Sequence, residues 1–212
     1  MENLKNLTVE DFIQITSSDA PAPGGGSISA LAGALAAALA EMVARLTVGR
    51  EKYAASEEEM QRVIREAQAI RLELTEAIDK DSASFNQYMD ALSLPKSTEE
   101  EKAVRRAAMQ EGLKAAARVP MAVAEAAVRV LPLAELAVTR GNTNAVTDGL
   151  VATMMARSAV LGALFNVKIN LSSIRDEEFV AGMSGRVAEL EQEALAGEKN
   201  IFARTELTAG LV

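Results

Sequence analysis

The sequence predicts an all-α fold, a single-domain bundle of long helices with an Ala-rich helix at its centre. Three observations carry that prediction. Hydrophobic residues make up 49% of the chain but aromatic residues only 3%, and the good helix formers Ala, Leu, Glu and Arg dominate where β-branched runs are scarce. Apolar residues recur at helical spacing along the long segments. Thr8 and Asp11, Ser56 and Glu59, and Thr98 and Glu101 each stand at the spacing of a capping box, the signature of a helix start. With 212 residues, the chain has room for one domain, 1–212, and a substantial core.

The first element is a short helix over 8–17, with Val9, Phe12, Ile13 and Ile15 supplying apolar contacts for a lid or flank. Pro21-Ala-Pro-Gly-Gly-Gly26 then breaks regular structure, and Ser27 stands where an N-cap belongs before a helix to about Thr47. That helix carries Ala30, Ala32, Gly33, Ala34, Ala36, Ala37, Ala38 and Ala40. Small side chains all round let neighbouring helices approach closely, which places it at the centre of a bundle or at a subunit contact.

A long helix follows from Ser56 to about Leu92, with Val63, Ala67, Leu74 and Ile78 on its apolar stripe, and Leu94-Pro95-Lys96 ends it. Helix restarts at Thr98, should kink at Pro120, and stops near Thr139 ahead of Gly141. Residues 142–148 form a polar connection, followed by a very apolar helix over 149–171. A last amphipathic helix runs from near Asp176 to about Thr205, and the final residues read as a frayed tail.

Composition excludes several functions. With 22 basic against 30 acidic residues, the formal net charge of -8 disfavours a nucleic-acid backbone or an anionic membrane surface as partner. The chain has neither Cys nor His, which removes disulfides, thiolate nucleophiles and the usual transition-metal ligands. Carboxylates, Lys, Tyr, hydroxyls and backbone dipoles are left for any chemistry, and no metal site is expected. Residues 1–11 alternate charged and apolar and lack the apolar core of a secretory signal. The Ala-dominated stretch over 28–40 is too short and too weakly hydrophobic for a membrane span. The expectation is a cytoplasmic protein.

Pro21 to Ser27 is the most conspicuous loop. Three glycines let the backbone reach a ligand closely, and the helix start beyond them presents free N–H groups; the alternative is a plain turn between helices. Asp81 falls on the otherwise apolar side of its helix with Ala77, Ile78, Ser84, Phe85 and Tyr88. Desolvation there would raise its pKa toward the range a proton-transfer group needs; the alternative is a carboxylate at the stripe's edge reaching water. Asp79 points to another face and is expected in solvent. Asp148 either takes part in a site or is a first-turn acid favoured by the helix dipole. Lys168, among core-like neighbours, either snorkels or binds a carboxylate. Glu41 and Glu125 interrupt Ala-rich runs and call for buried pairing with Arg or Lys.

The order and spacing of Pro21-Ala-Pro-Gly-Gly-Gly-Ser27, Asp79-Lys-Asp-Ser-Ala-Ser-Phe85, Leu94-Pro-Lys96, Thr98-Glu-Glu-Glu-Lys102, Val119-Pro120, Gly141-Asn142 with Thr147-Asp148, and Asn166-Val-Lys-Ile-Asn-Leu171 resemble the cyclodeaminase/cyclohydrolase family. The resemblance covers nearly the whole chain. It implies an all-α subunit working as a homodimer or higher assembly on a reduced folate, often polyglutamylated, with no metal and no cofactor beyond that substrate. By the family pattern, the second acid of Asp-x-Asp-x-x-x-Phe, here Asp81, is catalytic. The segment of Pro23, Gly24, Gly25, Gly26 and Ser27 lines the folate site. Arg50, Lys52 and Lys96 suit the glutamate tail, Asn142 belongs to a matching motif, and Asp148 or Lys168 is a candidate for a supporting role.

Two reactions fit that resemblance. A cyclodeaminase closes a formimino group onto the second folate nitrogen and expels ammonia; a cyclohydrolase adds water to the resulting methenyl bridge. Similarity to the animal cyclodeaminase domain across 98–120 favours the first. A non-catalytic helical assembly module is the remaining alternative, and it predicts no folate affinity.

Overall fold

The structure, a computed structural model, describes residues 3–211. Met1, Glu2 and Val212, the outermost parts of the terminal readings above, lie outside the described residues. Seven α-helices and four 3-10 turns account for the regular structure, with no strand among the described residues.

After a 3-10 turn at Leu4–Asn6, α1 (Val9–Thr16) starts under Thr8, whose hydroxyl accepts the Asp11 N–H at 3.1 Å. Phe12 alone of α1 is buried. Val9 and Ile13 project into solvent, so only part of the expected apolar contact forms.

The central helix α2 (Gly25–Arg45) begins two residues before Ser27, with Gly24 as N-cap. Its small residues do what their size allows. A Cβ on Gly33 would lie 2.9 Å from Cδ1 of Leu74 and 3.4 Å from the Cβ atoms of Ala127 and Ala159, on three different helices. Only an axis lined with Gly and Ala lets three neighbours close in at one level. Within this packing, Glu41 is buried and held by Arg45 at 2.7 Å and Arg71 at 3.0 Å. Burial opposes its ionisation, but the two guanidinium hydrogen bonds outweigh that and hold its carboxyl below the usual range. Glu125, in contrast, pairs with Arg186 at the surface.

A 3-10 turn at Glu51–Ser56 leads into α3 (Glu57–Ser93). Ser56 makes no side-chain cap, because that turn already delivers the chain into the helix. Met60, Val63, Ala67, Ile70, Leu74 and Ile78 form its buried stripe. The capping box at Thr98 and Glu101 is complete and opens α4 (Glu99–Val128).

Pro120 does not divide this helix; the chain turns at Arg129 and continues as α5 (Val130–Arg140). A proline inside a helix costs about 3 kcal/mol, partly because the carbonyl four residues earlier loses its donor. Here the Ala116 carbonyl finds another, the Asn170 side-chain amide at 3.0 Å.

A 3-10 turn at Thr143–Ala145 feeds α6 (Val146–Leu171), three residues earlier than expected. Finally α7 (Glu177–Phe202) is capped by Asp176, and a 3-10 turn at Glu206–Thr208 follows. The tail is not frayed there: Thr208 is buried and its hydroxyl donates to the carbonyls of Phe202 and Thr205.

Helix α2 runs antiparallel to both α3 and α6. Gly26 meets Asp81 and Gly33 meets Leu74, while Gly25 meets Asn166 and Gly33 meets Ala159. Two helical stretches, Gly25–Arg45 and Thr143–Leu171, are long and apolar enough to cross a membrane by length and composition. Both pack against each other at the centre of the bundle, where protein neighbours take the place of lipid.

Candidate functional site

At the N-terminal end of α2, Pro21, Ala22 and the three glycines meet α3, α4 and α6 around a cavity of about 270 Å³. Asp81, Ser82, Ser84 and Phe85 line it from α3, Ala116 from α4, and Asn166, Ile169 and Asn170 from α6. A larger cleft of about 530 Å³ between α3 and α4 is open and has Asp90, Glu111 and Arg118 on its walls. None of those three is buried, whereas the smaller cavity holds a desolvated acid with no cation paired to it among the described residues.

The glycines let that acid approach. A Cβ on Gly26 would fall 2.0 Å from Oδ1 of Asp81, so no other residue fits while the carboxyl stays in place. Ser27, fully buried behind it, has its hydroxyl 3.1 Å from Oδ2 of Asp81, 3.0 Å from the Ile78 carbonyl and 3.3 Å from the Ser82 hydroxyl. The residue expected to cap α2 in its own chain segment instead holds an acid from α3. The Asp81 carboxylate thus sits over free N–H groups at the start of α2, the role a capping side chain usually fills. Burial pushes its carboxyl above the usual range, and hydrogen bonds from the Ser27 hydroxyl and N–H oppose that without cancelling it.

Asp79, expected in solvent, is half-buried. Its Oδ1 accepts the Leu4 N–H at 2.7 Å, and its buried Oδ2 has no partner among the described residues. Lys5 pairs with Glu76 one turn away.

The remaining sequence candidates fall elsewhere on the subunit. Pro23 is buried beneath the loop it belongs to. Asp148 sits in the first turn of α6, about 27 Å from Asn166 at 1.5 Å rise per residue. Lys168 leaves the cavity and pairs with Glu191 on α7. Lys96 is exposed in the connection between α3 and α4.

Arg50, Lys52 and Asn142 gather at the opposite end of α2. There the Asn142 N–H donates to Thr47 Oγ1 at 2.8 Å, its side-chain amide to the Leu46 carbonyl at 3.1 Å, and Lys52 to Thr143 Oγ1 at 3.4 Å. Tyr53, which sequence reasoning missed, has its hydroxyl 3.1 Å from Thr143 Oγ1 and accepts the Thr143 N–H at 3.1 Å. Those hydrogen bonds, with Lys52 beside the ring, bring its phenol down to about 8. Asn166 and Asn170 were also missed, although their motif carried part of the resemblance. Among the described residues no group of three or more acids could hold a metal ion.

A half-buried, desolvated carboxyl beside a Gly-rich helix start, inside an all-helical bundle, defines the class: a helical protein with an acid-lined cavity. The chain belongs to the Formiminotransferase-cyclodeaminase family, whose family model matches residues 8–189. It is 39% identical over 186 residues to a methenyltetrahydrofolate cyclohydrolase from Methylorubrum extorquens, covering 88% of each chain. It is 38% identical over 206 residues to the formimidoyltransferase-cyclodeaminase of Sus scrofa, covering 97% of this chain and 38% of that longer protein. The crystal structure of a formiminotetrahydrofolate cyclodeaminase from Thermotoga maritima superposes with a TM-score of 0.86 at 31% identity, over 97% of this chain and 99% of that one.

Proposed function

We propose that this chain is a formiminotetrahydrofolate cyclodeaminase. Its relatives carry the names of folate one-carbon enzymes, and the observation that carries the reading is the desolvated Asp81 carboxyl on the wall of a cavity among Gly24, Gly25 and Gly26.

The second folate nitrogen attacks the protonated formimino carbon and gives its proton to Asp81. The resulting tetrahedral carbon carries two folate nitrogens and one NH2 group. Asp81 returns the proton to that NH2 as the carbon–nitrogen bond breaks, ammonia leaves, and the methenyl bridge keeps the positive charge of the starting formimino group. A carboxyl with its proton affinity raised by burial suits both transfers, and its negative charge lies beside the amidinium-like bridge. The reading requires no metal and no cofactor beyond the folate itself.

The second reading is methenyltetrahydrofolate cyclohydrolase, favoured by the relative of that name at 39% identity over 88% of both chains. Water would add to the bridge with Asp81 taking its proton, then returning it to the departing ring nitrogen.

The partner in this reading is a second copy of the chain. Ile28, Leu35, Met42 and Leu46 form one exposed apolar strip along α2, beside Val151, Met154, Phe165 and Ile169 on α6. Pairing α2 with its copy about a two-fold axis across this strip would carry Arg50, Lys52 and Asn142 of one subunit toward the Asp81 cavity of the other. The tail-binding role of the basic residues and the supporting role of Asp148 belong to that assembly, and a cytoplasmic location fits it.

Purified protein fed the formimino and methenyl substrates separately, with ammonia and bridge absorbance followed, tests the reading. Ammonia release is expected. Bridge opening alone overturns the cyclodeaminase reading, and turnover of neither overturns both.

A further inference from the structure

We propose that Asn170, held by the carbonyl that Pro120 leaves free, and Asn166 form an acceptor pair for the departing amino group of the formimino substrate. The inference rests on the cyclodeaminase reading and names the residues that would make the cavity selective for it.

Both amide hydrogens of Asn170 are committed. Nδ2 donates to the Ala116 carbonyl at 3.0 Å and to the Asn166 carbonyl at 2.8 Å. Turning the amide over would set its oxygen against two carbonyl oxygens, so the orientation is fixed by chemistry. Oδ1 is left as a pure acceptor on a residue that lines the cavity. Asn166 commits one amide hydrogen, with Nδ2 donating to the Gly162 carbonyl at 2.8 Å, and its Oδ1 is the second acceptor. Among the described residues no protein group donates to either Oδ1.

Pro120 explains why the Ala116 carbonyl is available. In an uninterrupted helix that carbonyl would accept the N–H of residue 120, and proline has none. The helix gives up one backbone hydrogen bond and gains a fixed socket for a side chain on α6. Pro120 is a positioning residue in this scheme, acting only through Asn170.

The cavity therefore offers three acceptors of two kinds: the Asp81 carboxylate and two amide oxygens. An amino group leaving as ammonia ends with three N–H bonds, one formed with the proton from Asp81. Two amide acceptors stabilise the others as positive charge builds on that nitrogen. In bridge hydration the incoming water gives one proton to Asp81 and keeps a single O–H for the pair, with no cationic leaving nitrogen to stabilise there, so the pair contributes less to that reaction.

The test compares wild type, Asn170→Ala and Pro120→Ala in both reactions, with thermal unfolding and circular dichroism to confirm the fold. Asn170→Ala is expected to lower kcat for ammonia release by about 100-fold and bridge opening by no more than about tenfold, with the loss falling on kcat more than on KM. Pro120→Ala restores the competing N–H and should lower the same kcat by about tenfold while its Tm holds or rises. Equal losses in both reactions, or unchanged ammonia release in Asn170→Ala, overturn the acceptor pair. A wild type that opens the bridge but releases no ammonia also overturns it. A wild type inactive on both substrates defeats the folate reading itself.

Discussion

Gly26 and Asp81 are in contact so close that the glycine's missing side chain is what gives the acid its place: a Cβ there would stand 2.0 Å from Oδ1 and 2.4 Å from Cγ. Alanine at 26 would not break the helix, since Ala is favoured over Gly in a helix by about 1 kcal/mol. The carboxyl can also swing aside. Gly26→Ala is therefore expected to change stability by no more than about 2 kcal/mol while cutting turnover by about 100-fold, the effect of moving a reacting group by an ångström. Denaturant unfolding and initial rates on the same preparation check the two halves; full activity with Ala at 26 would remove Asp81 from the chemistry.

The raised carboxyl of Asp81 sets two pH dependences. A group that holds its proton more tightly folded than unfolded costs no stability below its unfolded pKa. The cost grows as pH rises through the folded pKa and is complete above it. Asp81→Asn should thus be more stable than wild type at pH 8, with the advantage fading as the medium approaches the ordinary carboxylate range. Turnover in the same variant is expected to fall at least about 100-fold, and the acid limb of the wild-type rate profile should lie above that range. Thermal unfolding across pH 4 to 8, with the flanks held constant, reads the first effect. A difference that does not vary with pH would mean that the carboxyl is not desolvated.

The strip on α2 gives a separate test. Leu35 is 46% exposed on a single subunit, so Leu35→Glu should leave the subunit folded while splitting a two-fold assembly. Light scattering is expected to give twice the subunit mass for wild type and a single subunit for the variant. Activity should fall with the mass if the partner supplies Lys52 and Asn142. A variant that keeps the wild-type mass places the contact elsewhere.

Three helix starts, those of α1, α4 and α7, were legible because their signals are local. Thr8, Thr98 and Asp176 each bond an N–H within three residues, and sequence spacing reports that directly. Ser27 misled for the complementary reason. Its helix start is satisfied by an acid from α3, distant in sequence, so the hydroxyl is free to face inward. At Pro120 the donor replacing the missing N–H comes from α6, a partner that no local spacing reports. Asp81 was legible as an acid out of place on an apolar stripe, and the resemblance gave it a role. Asn166 and Asn170 carried no such anomaly, because amides at the edge of a stripe look ordinary until their partners are known. The distance between Asn142 and Asp81 along α2 was likewise hidden, since a list of motifs has order but no ends.

One turn of α3 fastens the N-terminal arm twice, Asp79 to Leu4 and Asp81 to Ser27. The arm is therefore a closed loop rather than a dangling end, with Phe12 as its only buried anchor in α1. The contacts that hold it are side-chain bonds to α3, so they can be broken without breaking a backbone hydrogen bond of any bundle helix. The residue that would handle the substrate's proton is also one of its fastenings to α3, alongside Asp79 and Glu76, which ties the arm to what occupies the cavity.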